Sequence, residues 1–499
     1  MRLKIASRQS DLARIQSYMV ARALRAVDPQ LQIEFEFRTS FGDRNLDIAM
    51  DGAQEKGLFT QDFYEGLKSG EFDMVVHSWK DLPVEEREGT KVVATLPRAD
   101  VRDLLLVKKS SIGRSSWKVL SSSPRRSYNL QRTLSSLVPG NPGIEFTPIR
   151  GNIPTRLRKL MEGEEDALIL AKAAVDRLLE APEAELAECQ SYVRQVLNEC
   201  KWSLLPLTLN PAAAAQGALA IEIAQDRPDL ENLLAQINCQ NTFVEAQRER
   251  KILASYGGGC HQKIGVSYLH RDYGKILFLR GKTDGGEELR VMSLEREEMA
   301  PEWCSHKENM FPVPPGTSKW YGRDSLDVGG FPGGRSLWVA RAEAFPEDWE
   351  KAEIPLVWTS GLKSWRGLAA RGVWVNGCAE SLGEQEETRV TTLLGQEPQW
   401  LKLTHEGGYD EGAMEIMATY RLQPVEDAPN LNGKTHFYWM SGSSFARAQE
   451  LFPEIIAGAF HACGPGNTYK LLQKELSDDR LKLCLNYEDW CRTSTEGDK

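Results

Sequence analysis

The sequence lacks the features that mark membrane, secreted and nucleic-acid-binding proteins. No segment approaches the ~20 uninterrupted apolar residues of a spanning helix. The amino terminus, Met-Arg-Leu-Lys-Ile-Ala-Ser, has no apolar signal-peptide core. Its nine cysteines are odd in number and irregularly spaced, a poor disulfide framework that fits a reducing compartment. Even Cys484 and Cys491, the closest pair, miss zinc-ribbon spacing. Positive charge is not in excess. With a formal net charge of -10, neither nucleic acid nor an acidic membrane surface is an expected partner. No Ser-His-Asp order, Walker loop or HExxH segment is present. These absences predict a soluble, cytoplasmic protein acting on a small molecule; the oligomeric state is not set by the sequence, a monomer being the expectation.

What is present is a chain of 499 residues, enough for three or four domains at one per ~150 residues. Short apolar runs alternate with helical patterns through the first 220 residues, which predicts an α/β architecture with substantially parallel sheets. A strand over 3–6 is followed by a helix starting at Ser7. A second strand, 33–39, leads through Gly42-Asp43 into a polar loop ending at Lys56-Gly57, a candidate lid. Helix 59–68 and strand 72–76 come next, and the strand runs into His77-Ser78-Trp79-Lys80-Asp81-Leu82-Pro83. Sites in open α/β sheets gather at the carboxyl ends of strands.

The pattern restarts near residue 103. The expected organisation is a first α/β lobe from residues 1–102 and 200–221, a second from 103–199, and a small α+β domain over 222–297. Residues 298–334 are rich in Pro, Gly and polar residues and are expected to be a linker. Beyond it, Val357-Trp-Thr-Ser360-Gly and Tyr438-Trp-Met-Ser441-Gly each precede a helical stretch, a faint repeat that predicts a two-lobed α/β module over 335–499.

Two features carry chemistry. Three glycines precede Cys260 in Gly257-Gly-Gly-Cys260-His. Either they merely turn the chain, or they present an exposed thiol that another molecule can approach closely. In addition, three predicted helix starts carry arginines: Ser7 with Arg8 and Ser10; Ser123 with Pro124, Arg125 and Arg126; and Asn152 with Pro154 and Arg156. Ser or Asn caps and first-turn prolines are ordinary start signals. Cations at the positive end of a helix dipole are not, costing ~0.3–1 kcal/mol each. Either the arginines bridge to acidic residues elsewhere, or an anion neutralises them. Arg150 adds another fork suited to a carboxylate. Asp81, beside Lys80, is either a turn aspartate before Leu82-Pro83 or a carboxylate that stabilises a developing cation and shuttles a proton.

Taken in order, Ser7-Arg-Gln-Ser10, Lys56-Gly-Leu-Phe59, Val76-His-Ser-Trp-Lys80-Asp81-Leu-Pro83, Ser122-Ser123-Pro-Arg125-Arg126, Arg150-Gly-Asn152-Ile-Pro-Thr-Arg156, Gln216-Gly-Ala and Gly258-Gly-Cys260 resemble the hydroxymethylbilane synthase (porphobilinogen deaminase) family. The resemblance covers about residues 1–297. It implies two periplasmic-binding-protein-like α/β lobes and a small α+β domain, and a transferase of tetrapyrrole biosynthesis that joins four porphobilinogen molecules head to tail with loss of ammonia. It further implies that Cys260 holds a dipyrromethane cofactor through a thioether and that Asp81 is the catalytic carboxylate. Lys80, Asp81, Ser123, Arg125 and Arg126 are implied to bind the cofactor, and Arg8, Ser10, Lys56, Arg150, Arg156 and Gln216 to bind substrate. No metal is implied. Ala214-Ala215 stands where the family usually has Val-Gly.

The C-terminal 165 residues resemble uroporphyrinogen-III synthase more weakly, through Leu337-Trp-Val-Ala-Arg341, the two Ser-Gly units and Gly464-Pro-Gly-Asn-Thr468. That likeness implies a fusion whose second part closes the linear product, which otherwise cyclises to the wrong isomer. The competing readings are a degenerate C-terminal docking domain, or a non-enzymatic anion-binding protein, since similar lobes also build solute receptors. Asp81 and Cys260 count against the latter.

Overall fold

The computed structural model of the chain describes residues 1–39, 61–85, 87–258, 262–296, 300–314, 319–408 and 414–495. The candidate lid up to Lys56 and the cysteine Cys260 lie outside the described residues. The chain divides into two compact units, Met1–Ser135 with Pro142–His270 and Leu277–Val291, and Ser136–Asn141 with Arg271–Ile276 and Met292–Lys499.

The first unit contains β1 (Arg2–Arg8), β2 (Gln32–Arg38), β3 (Met74–Ser78), β4 (Thr90–Ala94), β5 (Asp103–Lys108), β6 (Ser116–Leu120), β7 (Gly143–Thr147), β8 (Ala167–Ala171), β9 (Cys200–Leu204) and β10 (Leu219–Ala224). They form two five-stranded sheets of order β2-β1-β3-β10-β4 and β7-β6-β8-β5-β9. Each is half parallel and half antiparallel. β1 runs parallel to β2 and β3, and β6 to β7 and β8. β10 is antiparallel to β3 and β4, and β5 to β8 and β9. The antiparallel strands are those by which the chain crosses between lobes, entering as β5 and returning as β10. Largely parallel sheets were expected, and the reversal comes from this double crossing.

Burial follows the sequence pattern. β8, Ala-Leu-Ile-Leu-Ala, is buried along its whole length, as an unbroken apolar run in the middle of a covered sheet must be. The helix Asp11–Val27 turns Ile15, Val20, Ala21 and Leu24 inward, and the last three join Leu3 and Ile5 in one core. Leu230 and Leu234, four apart on the helix Pro228–Ala235, enter that same core. Residues through 235 therefore pack with the first lobe, whereas the small domain was expected to begin at 222. Its remaining parts are the helix Gln240–Ser255 and a sheet of order β11-β12-β13, formed by β11 (Gly265–Arg271), β12 (Gly274–Lys282) and β13 (Glu288–Glu295).

The second unit holds β14 (Met310–Phe311), β15 (Tyr321–Ser325), β16 (Ser336–Val339), β17 (Val357–Thr359), β18 (Gly377–Cys378), β19 (Trp400–His405), β20 (Glu415–Pro424), β21 (His436–Trp439), β22 (Phe460–Cys463) and β23 (Leu481–Leu483). Two sheets result, β15-β20-β19-β16-β17-β18 and β14-β21-β22-β23. The repeat seen in sequence is a pair of strand-helix-strand units. β17 leads through the helix Leu362–Ala370 to the parallel β18, and β21 through Gly442–Leu451 and Pro453–Gly458 to the parallel β22.

The segment 298–334 is not a simple linker. β14 pairs with β21 and β15 with β20, so it contributes a strand to each sheet. Phe311 and Trp320 are buried in the core around Phe437 and Trp439. The apolar anchors are spaced among prolines and glycines, and the composition masks them.

Candidate active site

β3 delivers the first charged residues. Met74, Val75 and Val76 are buried, and the strand gives way after Ser78 to a single turn, Trp79–Asp81. The Ser78 hydroxyl meets the Gln16 amide at 2.8 Å, while His77 lies 3.0 Å from Glu222, which also accepts from Thr90 at 2.6 Å. Trp79 is buried beneath the turn, its ring 5.2 Å from that of Phe243, and its main-chain N–H donates to the Ala218 carbonyl at 3.1 Å. With the indole as an anchor, Lys80 is left half-buried and Asp81 exposed.

The Lys80 ammonium donates to the Gln216 side-chain oxygen at 3.2 Å. Burial holds its pKa below the ordinary lysine value, with Arg126 and Arg125 adding to the effect and Asp81 and Asp103 opposing it. Gln216 is buried, and its amide nitrogen donates to the Val101 carbonyl at 2.8 Å and to Asp103 at 2.9 Å. The neighbouring Ala215 takes φ +63° and Gly217 φ +86°. Ala215, where the family usually has Gly, holds this left-handed conformation while its N–H donates to Glu249 at 2.6 Å. Gly217 has no room for a side chain, because a Cβ there would stand 2.6 Å from the Ala99 carbonyl oxygen.

Two of the three arginine-marked helix starts form as the sequence predicts. Ser123 caps Pro124–Leu130 by accepting from the Arg126 N–H at 3.4 Å, and Asn152 caps Ile153–Glu162 by accepting from Thr155 at 3.0 Å. The third does not. β1 continues through Ser7, which is buried, to Arg8, and the helix begins at Asp11 with Ser10 at the cap position. Ser7 is therefore no cap. An acidic residue in the first turn complements the dipole there in the usual way. Arg8 sits half-buried at the carboxyl end of β1, beside Ser10, and Arg150 is exposed.

Asp103 gathers the other arginines. Its carboxylate accepts from Arg125 at 2.9 Å, Arg126 at 2.7 and 3.0 Å, Asn210 at 2.8 Å and Gln216 at 2.9 Å. These donors, with the two guanidinium charges outweighing its own burial, hold its carboxyl far below the usual carboxylate range. Arg125 also donates to Asn210 and the Pro211 carbonyl, and Arg126 to the Ile169 carbonyl. Both arginines therefore pair with Asp103 inside the protein. Arg156 donates to the Gly151 carbonyl at 2.8 Å. Burial lowers its pKa and Arg126 lowers it further, against the pull of Asp81, so Arg156, Arg126 and Asp81 share one electrostatic neighbourhood.

Among the described residues, Lys80, Arg125, Arg126 and Arg156 share one set of charge interactions with the carboxylates of Asp81 and Asp103. The Arg125 Nε is buried without a hydrogen-bond partner. This cationic surplus at the carboxyl end of a strand fits a small molecule bearing several carboxylates. Sequence reasoning missed Asp103 and the buried pair Glu249–Arg98, joined at 2.7 and 2.9 Å. Asp103 opens the apolar run Leu104-Leu105-Leu106-Val107, and Glu249 interrupts a helix face otherwise formed by Thr242 and Ala246. A charge on an apolar face was the available signal.

Two α/β lobes, each on a mixed five-stranded sheet, with cationic side chains gathered at a strand's carboxyl end, define the class of fold. The family profile described as "Porphobilinogen deaminase, dipyromethane cofactor binding domain" matches residues 3–232. The porphobilinogen deaminase of Clostridium novyi is 35% identical over 295 residues, covering 58% of this chain and 91% of that protein. That of Syntrophomonas wolfei is 35% identical over 279 residues, covering 56% and 84%, and that of Chromobacterium violaceum 36% identical over 271, covering 53% and 79%. The chain belongs to the porphobilinogen deaminase family. Its N-terminal part has that function in tetrapyrrole synthesis, with dipyrromethane as cofactor. Among the described residues no helix is long and apolar enough to cross a membrane.

Proposed function

We propose that the N-terminal part joins four porphobilinogen molecules head to tail, releasing ammonia at each addition, with Cys260 as the thioether attachment point. The dipyrromethane supplies the primer from which the chain grows. The observation that carries this reading is the cationic surplus around one exposed carboxylate, Asp81. Lys80, Arg125, Arg126 and Arg156 compensate the acetate and propionate carboxylates of cofactor and substrate, with Ser123 at the same helix start and Arg8, Ser10, Lys56 and Arg150 completing the set. Gln216 holds Lys80 in place. The exposed Asp81 carboxylate serves a pyrrole N–H and the cation that develops as ammonia leaves.

Intact mass tests the attachment. The purified protein is expected to carry one covalent addition of two pyrrole units, absent from Cys260→Ser; an unmodified, inactive wild-type chain would sink the reading.

For residues 335–499 we propose a uroporphyrinogen-III synthase-like module that closes the linear product. Support comes from its two strand-helix-strand units and from the helix Asn467–Glu475, which opens after Gly466 at φ +109°. Incubation of the full-length protein with porphobilinogen is expected to give mainly the type III isomer. Mostly type I product would mean that this part is not a working cyclase.

A further inference from the structure

The turn that carries Asp81 is short, and Asp81 is its exposed end. What holds the main chain on either side of it is a residue far away in sequence. The Arg250 guanidinium donates to the carbonyl of Trp79 at 3.2 Å, to that of Leu82 at 3.1 Å and to that of Pro83. These three carbonyls bracket Asp81. Arg250 lies on the helix Gln240–Ser255, whose buried face also brings Phe243 against Trp79 and Ala246 into the cluster containing Trp79 and Leu82. At the end of that helix, Gly258 takes φ +56°, and a Cβ there would stand 3.2 Å from Val84 Cγ2. Contacts from this helix therefore reach the chain on both sides of Asp81, at Trp79 and at Leu82 and Pro83.

An arginine is chemically suited to this task. Its planar fork reaches several acceptors at once from one rigid group, which the compact ammonium of lysine does not reproduce. Three main-chain carbonyls define the plane and height of the turn, and with them where the Asp81 carboxylate stands. Next to Arg250, Glu249 takes the buried Arg98 and the N–H groups of Ala215 and Tyr268. The two adjacent charges thus hold separate segments, Glu249 the crossover at 215 and Arg250 the turn at 79–83.

We propose that Arg250 is a positioning residue for Asp81, acting on the reaction only through the backbone of the turn. The inference rests on the reading of Asp81 given above. A misplacement of about 1 Å can cost on the order of a hundredfold in rate. Arg250→Lys keeps charge and stem but loses the fork. It is expected to retain the cofactor mass, keep the KM for porphobilinogen within about threefold and lower kcat per cofactor-bearing molecule by about 10- to 100-fold.

The decisive measurement is a double-mutant cycle with Asp81→Glu, which keeps a carboxylate but moves it. In that background Arg250→Lys should lower kcat by less than about threefold, because the carboxylate is already displaced. A merely structural defect would multiply through unchanged. Full multiplication, or wild-type kcat in Arg250→Lys, overturns the inference while leaving the role of Asp81 intact. Wild-type kcat in Asp81→Glu overturns both. Should either protein fold poorly, amide exchange at residues 79–82 in Arg250→Ala replaces the cycle: exchange faster by at least about tenfold supports the bracket, and an unchanged rate refutes it.

Discussion

The Lys80 ammonium donates to the side-chain oxygen of Gln216 at 3.2 Å, and the nitrogen of that same amide donates to Asp103. One buried side chain therefore couples the turn bearing Asp81 to the carboxylate that anchors two arginines.

Asp103→Asn should destabilise the fold by about 3–5 kcal/mol in urea or thermal unfolding, since it leaves Arg125 and Arg126 buried without their counter-charge. The folded pKa of Asp103 lies far below its unfolded value. Its stabilisation is thus complete above about pH 4 and declines as the pH falls further, and the variant should lack that acid-dependent part.

Asp81→Asn should leave unfolding stability within about 0.5 kcal/mol of wild type, because the carboxylate is exposed. Turnover should fall by about 10²- to 10⁴-fold if Asp81 moves protons and stabilises the cation. Normal turnover with porphobilinogen would refute that role.

Gly217→Ala should destabilise by roughly 2–4 kcal/mol, combining a left-handed φ with a Cβ 2.6 Å from the Ala99 oxygen. The strain falls beside Gln216, so kcat should drop as well. A thermal melt indistinguishable from wild type would contradict the geometry.

Asp176 supplies a pH dependence of opposite sign. Burial raises its pKa to about 6, although Lys172 opposes the shift through a hydrogen bond. A carboxyl whose folded pKa exceeds its unfolded value contributes stability that is full below about pH 4 and is lost as the pH rises through the folded value. Between pH 4 and 7 the wild type should lose about 2–3 kcal/mol more than Asp176→Asn in denaturant titrations. Parallel curves for the two proteins would show that Asp176 is ionised throughout.

The sequence by itself determined the local features. The buried strand Ala167–Ala171, the caps Ser123 and Asn152 with their prolines, the charged terminus of β3 and the repeated strand-helix-strand pattern all depend on residues within a few positions of one another. One local signal misled: Ser7 reads as a cap, but β1 pairs with β2 through Arg8 and the helix begins only at Asp11. The tertiary structure decided what depends on distant partners. Phe311 pairs with Phe437 and Tyr321 with Pro424, so two strands form inside a segment whose composition reads as linker. Asp103 meets Arg126 across 23 positions and Gln216 across 113, and Arg250 reaches Trp79 across 171. A charged residue on an apolar face announces that a partner exists. Which partner it finds is set by the burial cost of leaving it unpaired, and only the folded chain shows the answer.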